Sequence, residues 1–148
     1  MFRAIAGVIV GYIVMGLIVF VGLTAAYFAL GADRAFMPGS LVISGLWVGV
    51  MVVVGIVAAI AGGAVCALIA RRPMPVKVLA GIVLALGLIM AGAAVKSGAP
   101  TETRPPTMSN MDAMQKAHTP AWAQITNALI GYAGVMVGGG LGRKKAVR

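Results

Sequence analysis

Four long apolar runs restrict the fold of this chain more than any other feature of its sequence. They cover about residues 4–30, 41–70, 76–95 and 121–141, and apart from Lys77 at the start of the third they contain no Asp, Glu, Lys, Arg or His. About 20 apolar residues suffice for a helix to cross the hydrocarbon core of a bilayer. Backbone groups in lipid must find hydrogen-bond partners internally, which unbroken runs of this length achieve as helices. The runs therefore predict four transmembrane helices.

The composition of the whole chain points the same way. Hydrophobic residues make up 61% of the sequence and charged residues only 10%, whereas about a quarter of a soluble domain is charged. A transmembrane barrel would instead contain short segments of alternating polarity. We therefore predict an all-α integral membrane protein, in which residues 1–148 form a single membrane domain built as a compact four-helix bundle.

Small residues recur at intervals of three and four within the predicted helices, a spacing that lets helix backbones approach closely in lipid. The glycines that we expect to pack helices together are Gly7, Gly11, Gly45, Gly49, Gly131, Gly134 and Gly138. The third helix carries one stripe with Gly81, Ala85 and Gly92 and another with Gly87 and Ala91. These stripes predict a compact bundle and favour self-association through a second face.

The basic residues predict the orientation of the chain. With four spans, the side that holds both termini carries Arg3, Arg71, Arg72, Lys77, Arg143, Lys144, Lys145 and Arg148. The other side carries Arg34, Lys96, Arg104 and Lys116, together with all three acids, Asp33, Glu102 and Asp112. Lys and Arg in short loops favour the cytoplasmic side. We therefore expect a multi-pass protein of the cell (inner) membrane with both termini in the cytoplasm.

The net charge of +9 does not by itself indicate nucleic-acid binding, because no aromatic residues are interleaved with the basic ones. The basic tail at residues 142–148 is instead expected to lie against anionic lipid. Tyr27, Phe28, Trp47 and Trp122 fall near the outer ends of their predicted helices. Aromatic rings with one wet edge prefer that depth, which agrees with the orientation predicted from charge.

Residues 96–120 form the only sizeable region outside the predicted spans. A proline-rich linker comes first. Ser109 and Asp112 then match a helix-capping spacing, and Asp112 and Lys116 are spaced as an i,i+4 pair. Pro120 disfavours helical geometry at the residue before it. We predict a short extracytoplasmic interfacial helix at about residues 110–117.

Three side chains at this predicted helix suggest a metal site. Met111, Met114 and His118 fall within about 60° of one helical face, and two thioethers with an imidazole suit Cu(I), a soft ion. The alternative is that these methionines, together with Met108, lie on the membrane interface, because methionine adapts to irregular apolar surfaces. The interfacial interpretation is favoured, and the metal site stays a second hypothesis.

The polar residues within the spans are few and uncharged. Thr24, Ser44, Gln124 and Asn127 all belong to the outer half. They suggest either hydrogen bonds between helices, which is the favoured interpretation, or a polar cavity open to the outside for a neutral solute. Proton-coupled transport normally requires an ionisable residue inside the membrane, and haem binding requires axial ligands such as histidine. The spans lack both kinds of residue at membrane depth.

We therefore expect a non-enzymatic protein that needs no cofactor. Its predicted role is that of an accessory or structural membrane subunit, which acts through helix packing with itself or with a larger membrane complex. The alternative is a small channel or transporter for an uncharged solute or a metal ion, including Cu(I) capture by the outer methionine-rich helix. The expected partners are the lipid bilayer and a second copy or a larger complex, not nucleic acid.

Overall fold

Four long helices account for most of the structure, a computed structural model that describes residues 2–98, 105, 112 and 116–146. The elements are α1 (Phe2–Leu30), α2 (Ala32–Ala35), α3 (Gly45–Ala70), α4 (Pro73–Ser97) and α5 (Ala121–Ala146). Within these described residues no β-strand occurs, and pairing outside the helices is limited to two isolated bridges. By length and composition α1, α3, α4 and α5 are each able to cross a membrane. The prediction of an all-helical, multi-pass membrane protein agrees with this architecture.

The second long helix begins later than its apolar run suggests. It starts at Gly45 rather than near Leu41, because Ser44 caps it: the Ser44 oxygen accepts the Trp47 N–H at 3.1 Å. The Ser44 hydroxyl donates to the Arg34 carbonyl at 2.6 Å. Of the preceding residues, Leu41 lies in a bend, and Val42 and Ile43 form backbone bridges instead. An apolar run does not distinguish such a buried loop from the first turn of a helix.

The contact between α1 and α3 is antiparallel and very close. A Cβ added at Gly7 would lie 2.9 Å from the carbonyl oxygen of Cys66. Near the other end of α1, a Cβ at Gly22 would lie 2.9 Å from Val54. The two helices therefore pack along most of their length, and near Gly7 their backbones come into direct contact, which only small residues allow.

The contact between α3 and α5 is parallel. Gly134 lies opposite Ala59, and Gly142 lies opposite Ala67. The third long helix, α4, packs mainly on α5, antiparallel to it, as the approach of Gly131 to Val83 illustrates. The main helix contacts thus follow the order α1, α3, α5, α4, with α3 between α1 and α5.

Two clusters of side chains fill the interior at opposite ends of the molecule. We call the end with Arg3 and Arg71 the basic end, and the end with connection 31–44 and residues 116–120 the loop end. Near the basic end the buried cluster consists of Ala59, Cys66, Ala67, Val76, Leu79, Ala80 and Val135. Among the described residues no polar or charged side chain is buried, so van der Waals packing stabilises this interior.

An aromatic cluster closes the loop end. Tyr27 lies 5.7 Å from Trp47 and 6.5 Å from Phe36 between ring centroids, both at nearly perpendicular angles. Such edge-to-face pairs add to the stabilisation that comes from burial. Tyr27 and Trp47 are therefore buried, at 5% and 8% exposure, while Phe28 is 77% exposed and Trp122 is 60% exposed. Tyr27 and Trp47 thus pack inside the molecule near the ends of their helices, because the α1–α3 connection folds over them, while Phe28 and Trp122 stay on its surface.

The α3–α5 contact predicts how single glycines contribute to stability. Gly138→Ala places a methyl group 2.7 Å from the carbonyl carbon of Ile60, so two helix backbones must separate. We expect a loss of about 1–3 kcal/mol in the free energy of unfolding, measured by thermal unfolding in detergent. Gly140→Ala, two residues away, meets nothing within 4 Å and is the matched control. Equal melting temperatures for the two variants would contradict this contact.

Candidate functional site

Five of the seven glycines predicted to pack helices lie at close contacts within the chain. Gly7 and Gly11 approach α3, and a Cβ at Gly11 would lie 2.8 Å from the Gly62 carbonyl oxygen. Gly134 and Gly138 also approach α3, and Gly131 approaches α4, where a Cβ would lie 2.9 Å from a methyl group of Val83. These glycines belong to the internal packing, so no surface remains open there.

The other two predicted glycines, Gly45 and Gly49, meet no atom within 4 Å. Both are exposed. They share a stripe of α3 with Gly63, which contacts α5 further along the helix. The tight contact of α3 therefore begins deeper in the molecule than Gly45 and Gly49. Its buried small residues there include Ala58, Ala59, Gly62 and Gly63, two pairs that the sequence also spaces at intervals of four.

The two small-residue stripes of α4 have different environments. Gly87 lies against Ala128 of α5, and Ala91 is buried. The other stripe, which we call the open α4 stripe, consists of Gly81, Ala85 and Gly92, all exposed. Its glycines meet nothing within 4 Å. At 100° per residue the open α4 stripe points about 120° away from the stripe that faces α5.

The four polar residues predicted to line an outer cavity do not share one face. Thr24 is half-buried on α1, and the Ser44 hydroxyl serves as a helix cap. Gln124 and Asn127 are half-buried on α5, which packs on a different face of α3 from α1. Neither of these two amide side chains hydrogen-bonds to another residue that the structure describes. The favoured prediction of interhelical hydrogen bonds is therefore not met by this pair.

Of the three candidate metal ligands, the structure describes only His118. Met111 and Met114, like Met108, lie outside the described residues. His118 is half-buried, and its backbone pairs with the α1–α3 connection: its N–H donates to Leu41 at 3.0 Å, and its carbonyl accepts from Ile43 at 3.3 Å. His118 thus belongs to a bridge rather than to a helix. The Cu(I) site stays a prediction.

The sequence carries no signal for the backbone pairing of His118 with residues 41–43. This pairing ties the connection before α5 to the connection before α3, so residues 31–44 and 116–120 form one structure that we call the loop-end cap. Within it Met37 and Val42 also pair, at 2.9 Å, across a turn at Gly39 with φ of 67°. The Pro38-Gly39 dipeptide signals this turn, but nothing in the local pattern indicates its distant partner.

No family model, curated protein or solved structure matches this chain.

Ser44 supplies a test of the loop-end cap. Ser44→Ala removes both the helix cap and the bond to Arg34, and loss of such a cap costs about 0.5–2 kcal/mol. We expect a lower melting temperature in detergent. Ser97→Ala is the control, because that hydroxyl only bonds back to Ala93 within an exposed helix end. A Ser44→Ala protein as stable as the control would show that the hydroxyl has no structural role.

Proposed function

We propose that this chain is a non-enzymatic accessory or structural subunit that works by helix packing in the membrane, with itself or with a larger complex. In this proposal the four long helices form a compact bundle in the inner membrane. Both termini face the cytoplasm, because eight of the twelve Lys and Arg residues belong to that side.

The open α4 stripe is the observation that carries this proposal. Inside the chain, comparable stripes are covered: Gly7 by α3 and Gly87 by α5. Gly81, Ala85 and Gly92 have the same character but no covering helix among the described residues. In lipid, a partner helix on such a surface gains close van der Waals contact that bulky surfaces do not offer. A helix from a second copy or from a partner protein fits this requirement.

The short outer helix belongs to the same proposal. The Lys116 N–H donates to the Asp112 carbonyl at 3.0 Å, which is the i to i+4 spacing of an α-helix. Lys116 itself is in a turn, and Ala117 is non-helical. The predicted interfacial helix at about residues 110–117 therefore does not include Lys116 and Ala117. Apart from Asp112 its other residues lie outside the described part of the chain, and its position on the interface stays part of the proposal.

Self-association gives the first test. Gly81→Leu/Ala85→Leu fills the open α4 stripe with side chains that suit lipid, so the fold is retained while close helix contact is blocked. We expect self-association in liposomes to weaken about tenfold, equivalent to about 1.4 kcal/mol, as measured by single-molecule photobleaching at increasing dilution.

The control is Gly16→Leu/Ala25→Leu, which makes the same two changes at exposed positions of α1. Equal weakening in both variants would contradict a specific role of α4. A wild-type protein that is monomeric at every dilution would contradict self-association, and crosslinking in native membranes then tests a partner of different sequence.

One observation favours a second candidate, a small channel or transporter for an uncharged solute. Gln124 and Asn127 are half-buried amides with no described hydrogen-bond partner, and they lie on the stripe of α5 that approaches α3 at Gly134 and Gly138. The open Gly45 and Gly49 leave space on the corresponding stripe of α3. Polar groups beside unfilled space are suited to a small neutral hydrogen-bonding solute.

Glycerol-driven swelling of liposomes distinguishes the two candidates. The second function predicts faster swelling with the wild-type protein than without it, and loss of that increase in Asn127→Leu. The helix-packing proposal predicts no difference between protein-containing and empty liposomes. The control is Thr126→Val, at an exposed position on the same helix, where the hydroxyl bonds only back to the Trp122 carbonyl.

A further inference from the structure

A groove of about 720 Å³ opens at the basic end, between the first turns of α1 and the first turns of α4. Arg3 reaches it from α1, and Arg71 and Arg72 reach it from the turn between α3 and α4. Ile5 and Ile9 on α1 and Val78 on α4 line its deeper part. From Arg3 to Ile9 the helix rises about 9 Å at 1.5 Å per residue. The volume lies within the range of about 300–1,000 Å³ that is usual for ligand sites.

The charges around the groove are all of one sign. Among the described residues its only ionisable lining groups are the three arginines, and its other walls are apolar. The two acids that the structure describes, Asp33 and Asp112, belong to connections at the opposite end. Within the described part of the chain no acidic side chain is therefore placed to neutralise the arginines. An occupant needs an anionic group at one end and an apolar body below it.

The helix ends at the groove reinforce this preference. Both α1 and α4 begin there, and neither has an acidic residue in its first turn. The N-terminal end of a helix carries about half a positive charge, which favours an anion close to it. Arg72 stands at the N-cap of α4 without making a side-chain cap bond, so no side chain caps that positive end. Pro73 and Pro75 have no N–H, so α4 contributes its dipole more than backbone donors.

Arg71 occupies an unusual backbone position. Its φ of 53° and ψ of 19° are left-handed, and it is the only described residue other than glycine with a positive φ. Glycine is the usual residue at a helix C-terminus of this kind, because a side chain in the left-handed region brings its Cβ close to the following carbonyl oxygen. Arg71 thus has a large cationic side chain at a backbone position that favours glycine. A role of this side chain in the groove would explain why arginine occupies the position.

We infer that this groove binds one anionic phospholipid from the leaflet at the basic end. The phosphate lies among Arg3, Arg71 and Arg72, where guanidinium groups offer paired N–H donors to its oxygens. One acyl chain lies along Ile5, Ile9 and Val78. Basic pockets between transmembrane helices are suited to such headgroups, and the apolar floor distinguishes a lipid from a free anion.

Native mass spectrometry of the full chain from nanodiscs of equal phosphatidylcholine and phosphatidylglycerol tests the site. We expect the wild type to retain phosphatidylglycerol preferentially. Arg71→Gly/Arg72→Gln should lower the ratio of the two retained lipids by about fivefold for each arginine removed. Because glycine suits the left-handed position, this variant should melt at or above the wild-type temperature, which separates lost binding from lost folding.

Two further variants test the two halves of the groove. Lys77→Gln removes an exposed charge at the same end that does not line the groove, and it should leave the ratio unchanged. Ile5→Trp fills the apolar part while keeping all three arginines, and it should lower retention of both lipids. Addition of inorganic phosphate to the protein in neutral detergent should not raise its melting temperature.

Three outcomes would overturn the inference. An unchanged lipid ratio in the arginine variant would show that these side chains do not select the headgroup. An equal loss in Lys77→Gln would show a diffuse surface charge rather than a site. Stabilisation by inorganic phosphate as large as that by phosphatidylglycerol would assign the groove to a free anion.

Discussion

The close approach of α3 to two other helices is the contact on which the rest of the structure depends. Lipid tails are as apolar as the side chains they would replace, so burial alone gives these helices little reason to associate. Glycine and alanine allow backbone atoms to touch: Gly11 of α1 meets the backbone at Gly62, and Gly63 of α3 meets the backbone at Val135. The gain is dispersion contact, which is small for each atom pair and large in sum. Because α3 makes both contacts, it sets the spacing of α1 and α5.

That spacing has consequences at both ends of the molecule. At the loop end, the antiparallel pairing of α1 and α3 brings Tyr27 against Trp47, and the connection between them folds over the pair. His118 then joins this connection through its backbone. At the basic end, the α3–α4 turn places Arg71 and Arg72 beside the start of α1. The positions of α1, α4 and α5 around α3 thus determine both the loop-end cap and the arginine-lined groove at the basic end, which we call the basic groove.

The two surfaces that suggest function differ in chemistry. The open α4 stripe is small and uncharged, which suits another helix. The basic groove combines arginines with apolar walls, which suits an amphipathic lipid. Both lie on the outside of the packed helices, whereas the buried interior described by the structure contains no polar side chain. Both surfaces are therefore suited to partners that surround the protein in a membrane, rather than to a substrate in its interior.

The sequence by itself determined the four long helices, because backbone hydrogen bonding in lipid is satisfied locally and depends only on unbroken apolar length. It also determined which residues are small enough for close packing and that the charge is concentrated at one end. Only the tertiary structure decided which stripe meets which helix. The stripes at Gly87 and at Gly81 look equivalent in sequence, yet one is covered by α5 and the other is open. The bridge at His118 and the meeting of Arg3 with the α3–α4 turn were likewise decided there, since both join residues far apart in the chain. Such pairings depend on the steric fit of whole helix faces, which local sequence patterns do not specify.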